Sequence, residues 1–124
     1  MMDRRDTDHL NHLTVKLLEY NKKALQYFEK HQETKEAADF IEEVKPFADS
    51  VHKTADEWIE LAAPFVKEKQ PKYLHVKQIE DVHENIGIEA VTCFQPDTKR
   101  KRFIERNKSI LYTLETLSRN LSPL

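Results

Sequence analysis

FIEEVKPFADSVHKTADEWIELAAPF, residues Phe40–Phe65, is the stretch whose reading decides the fold. Within it Phe40, Val44, Phe47, Val51, Ala55, Trp58, Ala62 and Phe65 recur at steps of three and four without a slip, the signature of one apolar helix face. Two prolines interrupt the run. Each removes a backbone hydrogen bond and crowds the carbonyl four residues earlier. Pro46 and Pro64 stand 18 residues apart, about five turns at 3.6 residues per turn, and share the charged side with Asp49, Lys53 and Glu60. Prolines on the solvent side curve a helix around the core. The spacing therefore predicts one long second helix that is kinked and continuous through Pro46.

Working outward, Pro71 ends this helix near Lys69, because the residue before a proline is pushed out of helical geometry. On the N-terminal side, Leu10, Leu13, Leu17, Tyr20, Ala24 and Tyr27 or Phe28 predict a first helix from about Asp8 to His31, capped by Thr7 or Asp8. Gln32-Glu33-Thr34 reads as its polar joint to the second helix. On the C-terminal side, Val76, Ile79, Val82, His83, Ile86, Ala90, Cys93 and Phe94 predict a third helix from about His75. Gly87 lies beside that stripe, either as a tolerated helix glycine or as the mark of a close helix crossing. Gln95-Pro96-Asp97-Thr98 makes a turn, with Asp97 or Thr98 as the cap of a fourth helix carrying Phe103, Asn107, Ile110, Leu114, Leu117 and Leu121. Four amphipathic helices with short joints predict an all-α fold: an antiparallel up-down-up-down four-helix bundle occupying residues 1–124 as a single domain.

Composition agrees with this and narrows the function classes. The chain has 124 residues, 39% hydrophobic and 34% charged, with a single glycine, where sheets and phosphate-cradling loops need several. Twenty basic and 22 acidic residues leave a formal charge of -2, so no global field draws the chain to nucleic acid or to an anionic membrane. Cys93 has no second cysteine to pair with, which fits a reducing compartment. The N-terminus lacks an apolar signal region and no apolar run approaches a membrane span, so the expected location is cytoplasmic, without membrane contact.

The residues offer little for catalysis. A carboxylate-bridged di-metal bundle needs two Glu-x-x-His motifs and two further inward glutamates. Glu80-Asp81-Val82-His83 is the one match, and the core stripes of the first, second and fourth helices supply no carboxylate. His9 and His12 read as solvated and His52 as a flank residue. His31 and His83 read as core histidines, and His75 as a capping or first-turn residue. Cys93 falls in a core pattern, and the acidic side chains fall on solvent faces. Tyr20, Tyr27, Phe28, Phe47, Trp58 and Phe103 read as core aromatics rather than a cofactor box. No catalytic, cofactor or metal residue is expected, and the chain reads as a non-enzyme ahead of the alternative, an enzyme with a small bundle-core pocket for which the sequence offers chiefly His31 and His83.

Two features stand out from the helical pattern. Lys99-Arg100-Lys101-Arg102 opens the fourth helix, where the macrodipole favours negative charge. With free helical N–H groups these residues are a candidate anion-binding end, joined by Lys30, His31 and Lys35 from the first joint. The competing reading is a solvated run neutralised by Glu29, Glu33, Glu36 and Asp97. Tyr112 projects opposite the core stripe among Lys108, Glu115 and Arg119, a candidate partner contact.

Pro71-Lys72-Tyr73-Leu74-His75 with Gln78-Ile79-Glu80, Ser109-Ile110-Leu111-Tyr112-Thr113-Leu114, Lys45-Pro46 and Trp58 resemble the YppE family of small uncharacterised proteins from Gram-positive bacteria. The resemblance covers nearly the whole chain and implies a four-helix bundle. It implies no activity, substrate or catalytic residue, and it adds Tyr73 and His75 to Tyr112 as candidate contacts. The expected function is that of a non-enzymatic helical adaptor or regulator binding a protein partner, or a second copy of itself. The alternative is anion or nucleic-acid binding through Lys99, Arg100, Lys101 and Arg102.

Overall fold

Each of the four apolar stripes belongs to a helix in the computed structural model, which describes residues 2–121. Met1 and residues 122–124, the two ends of the expected domain, lie outside the described residues. Helix α1 spans Arg4–Thr34. A π-turn, Phe40–Val44, runs directly into α2, Lys45–Lys69, and α3 (Val76–Thr92) and α4 (Arg100–Leu121) follow. Among the described residues there is no strand.

Contacts along the helices fix their directions. Trp58 of α2 meets Thr14 of α1, whereas Phe47, three turns earlier, meets Tyr20 and Tyr27. His52 and Asp56 of α2 meet Gly87 and His83 of α3 in that order. Asn21 and Glu29 of α1 meet Asn107 and Arg100 of α4. In each pair one number rises as the other falls, so these neighbours are antiparallel. Helices α1 and α3 each pack mainly on α2 and α4, which closes the four-helix bundle.

Most of the core is one aliphatic seam from all four helices around Trp58, whose ring is fully buried and whose indole N–H donates to Thr14 Oγ1 at 3.1 Å. A smaller cluster of Ala24, Phe28, Val44, Cys93, Phe94 and Phe103 fills the end where α1 stops and α4 begins. There Phe28 and Phe103 stack at 4.1 Å, nearly parallel. The expected core aromatics divide accordingly: Trp58, Phe28 and Phe103 are buried, while Tyr20, Tyr27 and Phe47 are half-buried at the groove edge.

Several boundaries differ from the sequence reading. Helix α1 starts four residues before Asp8, because Asp3 is the cap and its carboxylate accepts the Asp6 N–H at 2.9 Å. It also passes through Gln32-Glu33-Thr34 and ends at Lys35, in left-handed geometry with φ 59°. The Thr98 hydroxyl donates to the Thr92 carbonyl at 2.9 Å, and α4 begins two residues later, at Arg100. Gly87 marks a close approach: His52 Nε2 lies 3.1 Å from its carbonyl oxygen, and a Cβ there would stand 3.3 Å from the same ring.

The second helix is continuous through Pro46, and both its prolines are exposed. Its first turn, however, is π rather than α. The Val44 N–H donates to Asp39 O at 3.2 Å and the Lys45 N–H to Phe40 O, each spanning five residues. Pro46, which has no N–H to give, then sits in the first α-turn, where none is required. The wide turn shifts residues before it off the α-helical stripe. Phe40, expected in the core, is 62% exposed as a result.

Trp58→Ala is expected to lower stability by about 3 to 5 kcal/mol, the range for deleting a large core aromatic. Urea titration of wild type and variant measures this, and an unchanged midpoint would refute the placement of Trp58 at the centre of the seam.

Candidate functional site

The basic run is exposed at the start of α4, but its members are not equivalent. The Arg100 guanidinium contacts both carboxylate oxygens of Glu29 on α1, at 2.8 and 3.0 Å, and lies 5.9 Å from the Phe28 ring centre. This pairing holds the Glu29 carboxyl below its usual range and the Arg100 guanidinium above its own. Glu29 was one of the four acids expected to neutralise the run. Lys99, Lys101 and Arg102 are exposed beside the pair.

Tyr73, His75 and Tyr112 do not form one constellation. Tyr73 and His75 stand in the joint between α2 and α3, whereas Tyr112 lies midway along α4. Tyr73 is 74% exposed and holds left-handed geometry, φ 64°, costly for a residue with a Cβ. That turn sends Leu74 into the core and leaves His75 to cap α3, with its N–H donating to Gln78 Oε1 at 2.7 Å. Tyr112 is 54% exposed, outward as expected.

Among the described acids one, Glu89, departs from the expected placement on solvent faces and stands in a buried polar centre. Glu89 of α3 has no exposed surface. Its Oε1 accepts from Asn107 Nδ2 at 2.7 Å, and its Oε2 is buried without a hydrogen-bond partner. Asn107 and Asn21, also buried, exchange side-chain-to-backbone bonds of 3.0 and 3.2 Å and so tie α4 to α1. Desolvation pushes the Glu89 carboxyl up to about 8, against a smaller lowering by Asn107 and by the charge of Arg106. Burial also raises the Cys93 thiol, one turn along α3, so the reactive thiolate is suppressed.

Histidines take mainly structural roles. His31 is buried as expected, and its Nδ1 bonds the Glu36 carbonyl oxygen at 2.7 Å, pinning the joint that follows α1. His83, expected in the core, instead stands on the flank of α3 and bonds Asp56 of α2 at 2.8 Å. Among the described residues no three His, Cys, Asp or Glu side chains converge as metal ligands.

The strongest surface feature lies on the π-turn at the end pinned by His31. Phe40 and Ile41, consecutive and large, are 62% and 65% exposed. Phe40 forms one wall of a groove of about 460 Å³ with Ala37, Ala38 and Val44, opposite Val91, Phe94 and Pro96. Phe94 is the shared floor. It packs against Tyr27 at 4.9 Å and Phe47 at 5.7 Å, on the side of a second groove that Glu42 and Glu43 line. Burying Phe94 within an aromatic cluster leaves the π-turn as the exposed rim.

Sequence reasoning missed both features. Glu89 sits three residues after Ile86 on the core face, a spacing that was available, but its charge argued for solvent. Phe40 and Ile41 were hidden by an α-period that a π-turn breaks.

Comparison with known proteins gives a consistent picture. A family described as a bacterial domain of unknown function, DUF1798, matches residues 14–121. The uncharacterised protein YppE of Bacillus subtilis is 29% identical over 105 residues, 85% of each chain. A crystal structure of a protein of unknown function from Listeria innocua superposes with a TM-score of 0.90 at 29% identity, covering 96% of this chain and 95% of that one. A DUF1798 protein from Staphylococcus aureus gives 0.84 at 29% identity, with 93% and 97% covered.

Glu89 carries a pH signature. As pH rises from the ordinary carboxylate range to about 8, the unfolded chain releases this proton and the folded chain keeps it. Stability therefore falls across that window, by up to about 1.4 kcal/mol per pH unit, and levels above it. Glu89→Gln retains an acceptor for Asn107 but cannot ionise. Urea titrations at pH 5, 6, 7 and 8 are expected to show a shallower decline in the variant than in wild type. Parallel declines would mean that Glu89 ionises normally.

Proposed function

The chain belongs to the bacterial DUF1798 family, and from that premise we propose that it is a non-catalytic helical protein that docks a protein partner on the face formed by Phe40 and Ile41. The observation carrying this reading is the exposure of two consecutive large apolar side chains beside an open apolar groove. Single exposed apolar residues are ordinary on protein surfaces, whereas contiguous ones beside a groove mark contact sites. The π-turn supports it, since such turns recur at functional positions. The suppressed thiol of Cys93 and the dispersed histidines speak for binding rather than bond chemistry. Tyr73, His75 and Tyr112 remain secondary candidate contacts, on other parts of the surface.

Anion or nucleic-acid binding is the second reading, favoured by the exposed Lys99, Lys101 and Arg102 at the positive end of α4. Arg100 weighs against it, because its charge is already matched by Glu29.

Phe40→Ser combined with Ile41→Ser is expected to leave the thermal midpoint nearly unchanged, because both side chains are largely solvated. The same double variant should lose a protein that immobilised wild type retains from native cell extract at both low and physiological salt. Identical retained proteins for wild type and variant would overturn the docking reading. For the second reading, Arg100→Gln with Arg102→Gln should abolish any RNA or phosphate retention measured at low salt, and such retention should weaken as salt rises. Wild type that retains neither ligand at low salt refutes it.

A further inference from the structure

Resting on that docking reading, we infer that the occupant of the Phe40–Ile41 face is the apolar side of a basic amphipathic helix. Three observations converge on it. The groove lacks a backbone edge for strand addition, since all its walls are helix, π-turn or joint and no strand exists among the described residues. Its apolar lining, Ala38 and Val44 facing Val91 and Phe94, suits inserted side chains rather than a whole chain, as when helix anchors at three- and four-residue spacing enter a groove. Its surroundings are acidic. Glu36 and Asp39 come from the joint and Glu42 and Glu43 from the π-turn that carries Phe40 and Ile41, and Asp97 lines the opposite wall.

Two nearby cations are already matched within the chain, whereas Lys99, Lys101 and Arg102 are exposed at the start of α4 and Lys23 shares the second groove with Glu42 and Glu43. Lys45 is bonded to Asp49 at 2.7 Å, and Arg100 is held by Glu29. Lys35 is the one base between Glu33 and Glu43. Asp39 and Glu43 also use their carboxylates as acceptors for the Glu42 and Asp39 N–H groups, at 2.8 and 3.1 Å, which fixes negative charge on the π-turn. An apolar slot rimmed by fixed acids selects an apolar stripe flanked by Lys and Arg, by charge complementarity at the rim and burial at the centre.

The test uses labelled synthetic helices of about 18 residues, roughly five turns. One is a Leu/Lys amphipath, one a Leu/Glu amphipath with the same stripe, and one a Leu/Lys scramble without a stripe. Fluorescence anisotropy follows binding to the full chain at low salt and at about 0.15 M salt. The Leu/Lys amphipath is expected to bind, with the Leu/Glu amphipath and the scramble each weaker by roughly tenfold or more. Phe40→Ser with Ile41→Ser should abolish binding. Glu36→Lys with Glu42→Lys should reverse the preference toward Leu/Glu, a gain that a misfolded protein does not produce.

Equal binding of both amphipaths, lost in the Phe40→Ser/Ile41→Ser variant, would overturn the basic preference and leave docking intact. Leu/Lys binding untouched by that variant would place the contact elsewhere and overturn both. No binding by either amphipath overturns the basic helix alone, because the extract experiment tests docking separately. Concentration-dependent dimerisation in sedimentation that the same variant abolishes would assign the face to a second copy and overturn a basic-helix partner.

Discussion

Pro46 has no amide hydrogen, and the most informative part of this structure depends on that fact. In a regular α-helix its ring would crowd the carbonyl of Glu42, and the bond between the two residues could not form. The chain meets this with a π-turn over Phe40–Val44, whose bonds reach back five residues, and with Pro46 in the first α-turn beyond it. The N–H groups of Glu42, Glu43, Val44 and Lys45 all find acceptors, and helicity is unbroken. The wider turn also brings Val44 into the core while Phe40 and Ile41 face solvent. A constraint on one hydrogen bond thereby leaves two consecutive large apolar side chains exposed at that end of the molecule.

The interior shows a second local conflict. A bundle of this size could be filled with aliphatic side chains, yet Glu89, Asn107 and Asn21 occupy the contact among α1, α3 and α4. Burying a carboxyl is costly in its charged form, which is why Glu89 holds its proton up to about 8. Its return is orientation: the two asparagines reach each other's backbone, so sliding α4 along α1 would strand buried polar groups. The network acts on which helices pair and in what register.

These features divide the molecule by role. The seam around Trp58 and the asparagine clasp give a rigid frame, and the His31 bond to the Glu36 carbonyl pins the joint from which the π-turn projects. For the docking proposed above, a face carried on a pinned joint would lose little further freedom, which lowers the entropy cost of binding. The relatives from Bacillus, Listeria and Staphylococcus share the bundle, and their likeness extends over nearly the whole chain.

The sequence by itself determined the helices and their inward faces, because periodicity at 3.6 residues is a local property that survives whatever the helix packs against. Trp58, Leu114 and Ile79 were legible as core for that reason, as were the exposed prolines and Tyr112. Tertiary structure decided the rest. Whether Arg100 faces solvent or Glu29, and whether His83 enters the core or meets Asp56, depends on which helix lies alongside, and no spacing within one helix encodes that. Glu89 is buried because Asn107, 18 positions away along the chain, supplies its hydrogen bond. Phe40 is exposed because a proline six residues later changes the pitch of the turn that carries it, and an α-period drawn through that turn assigns it to the wrong face.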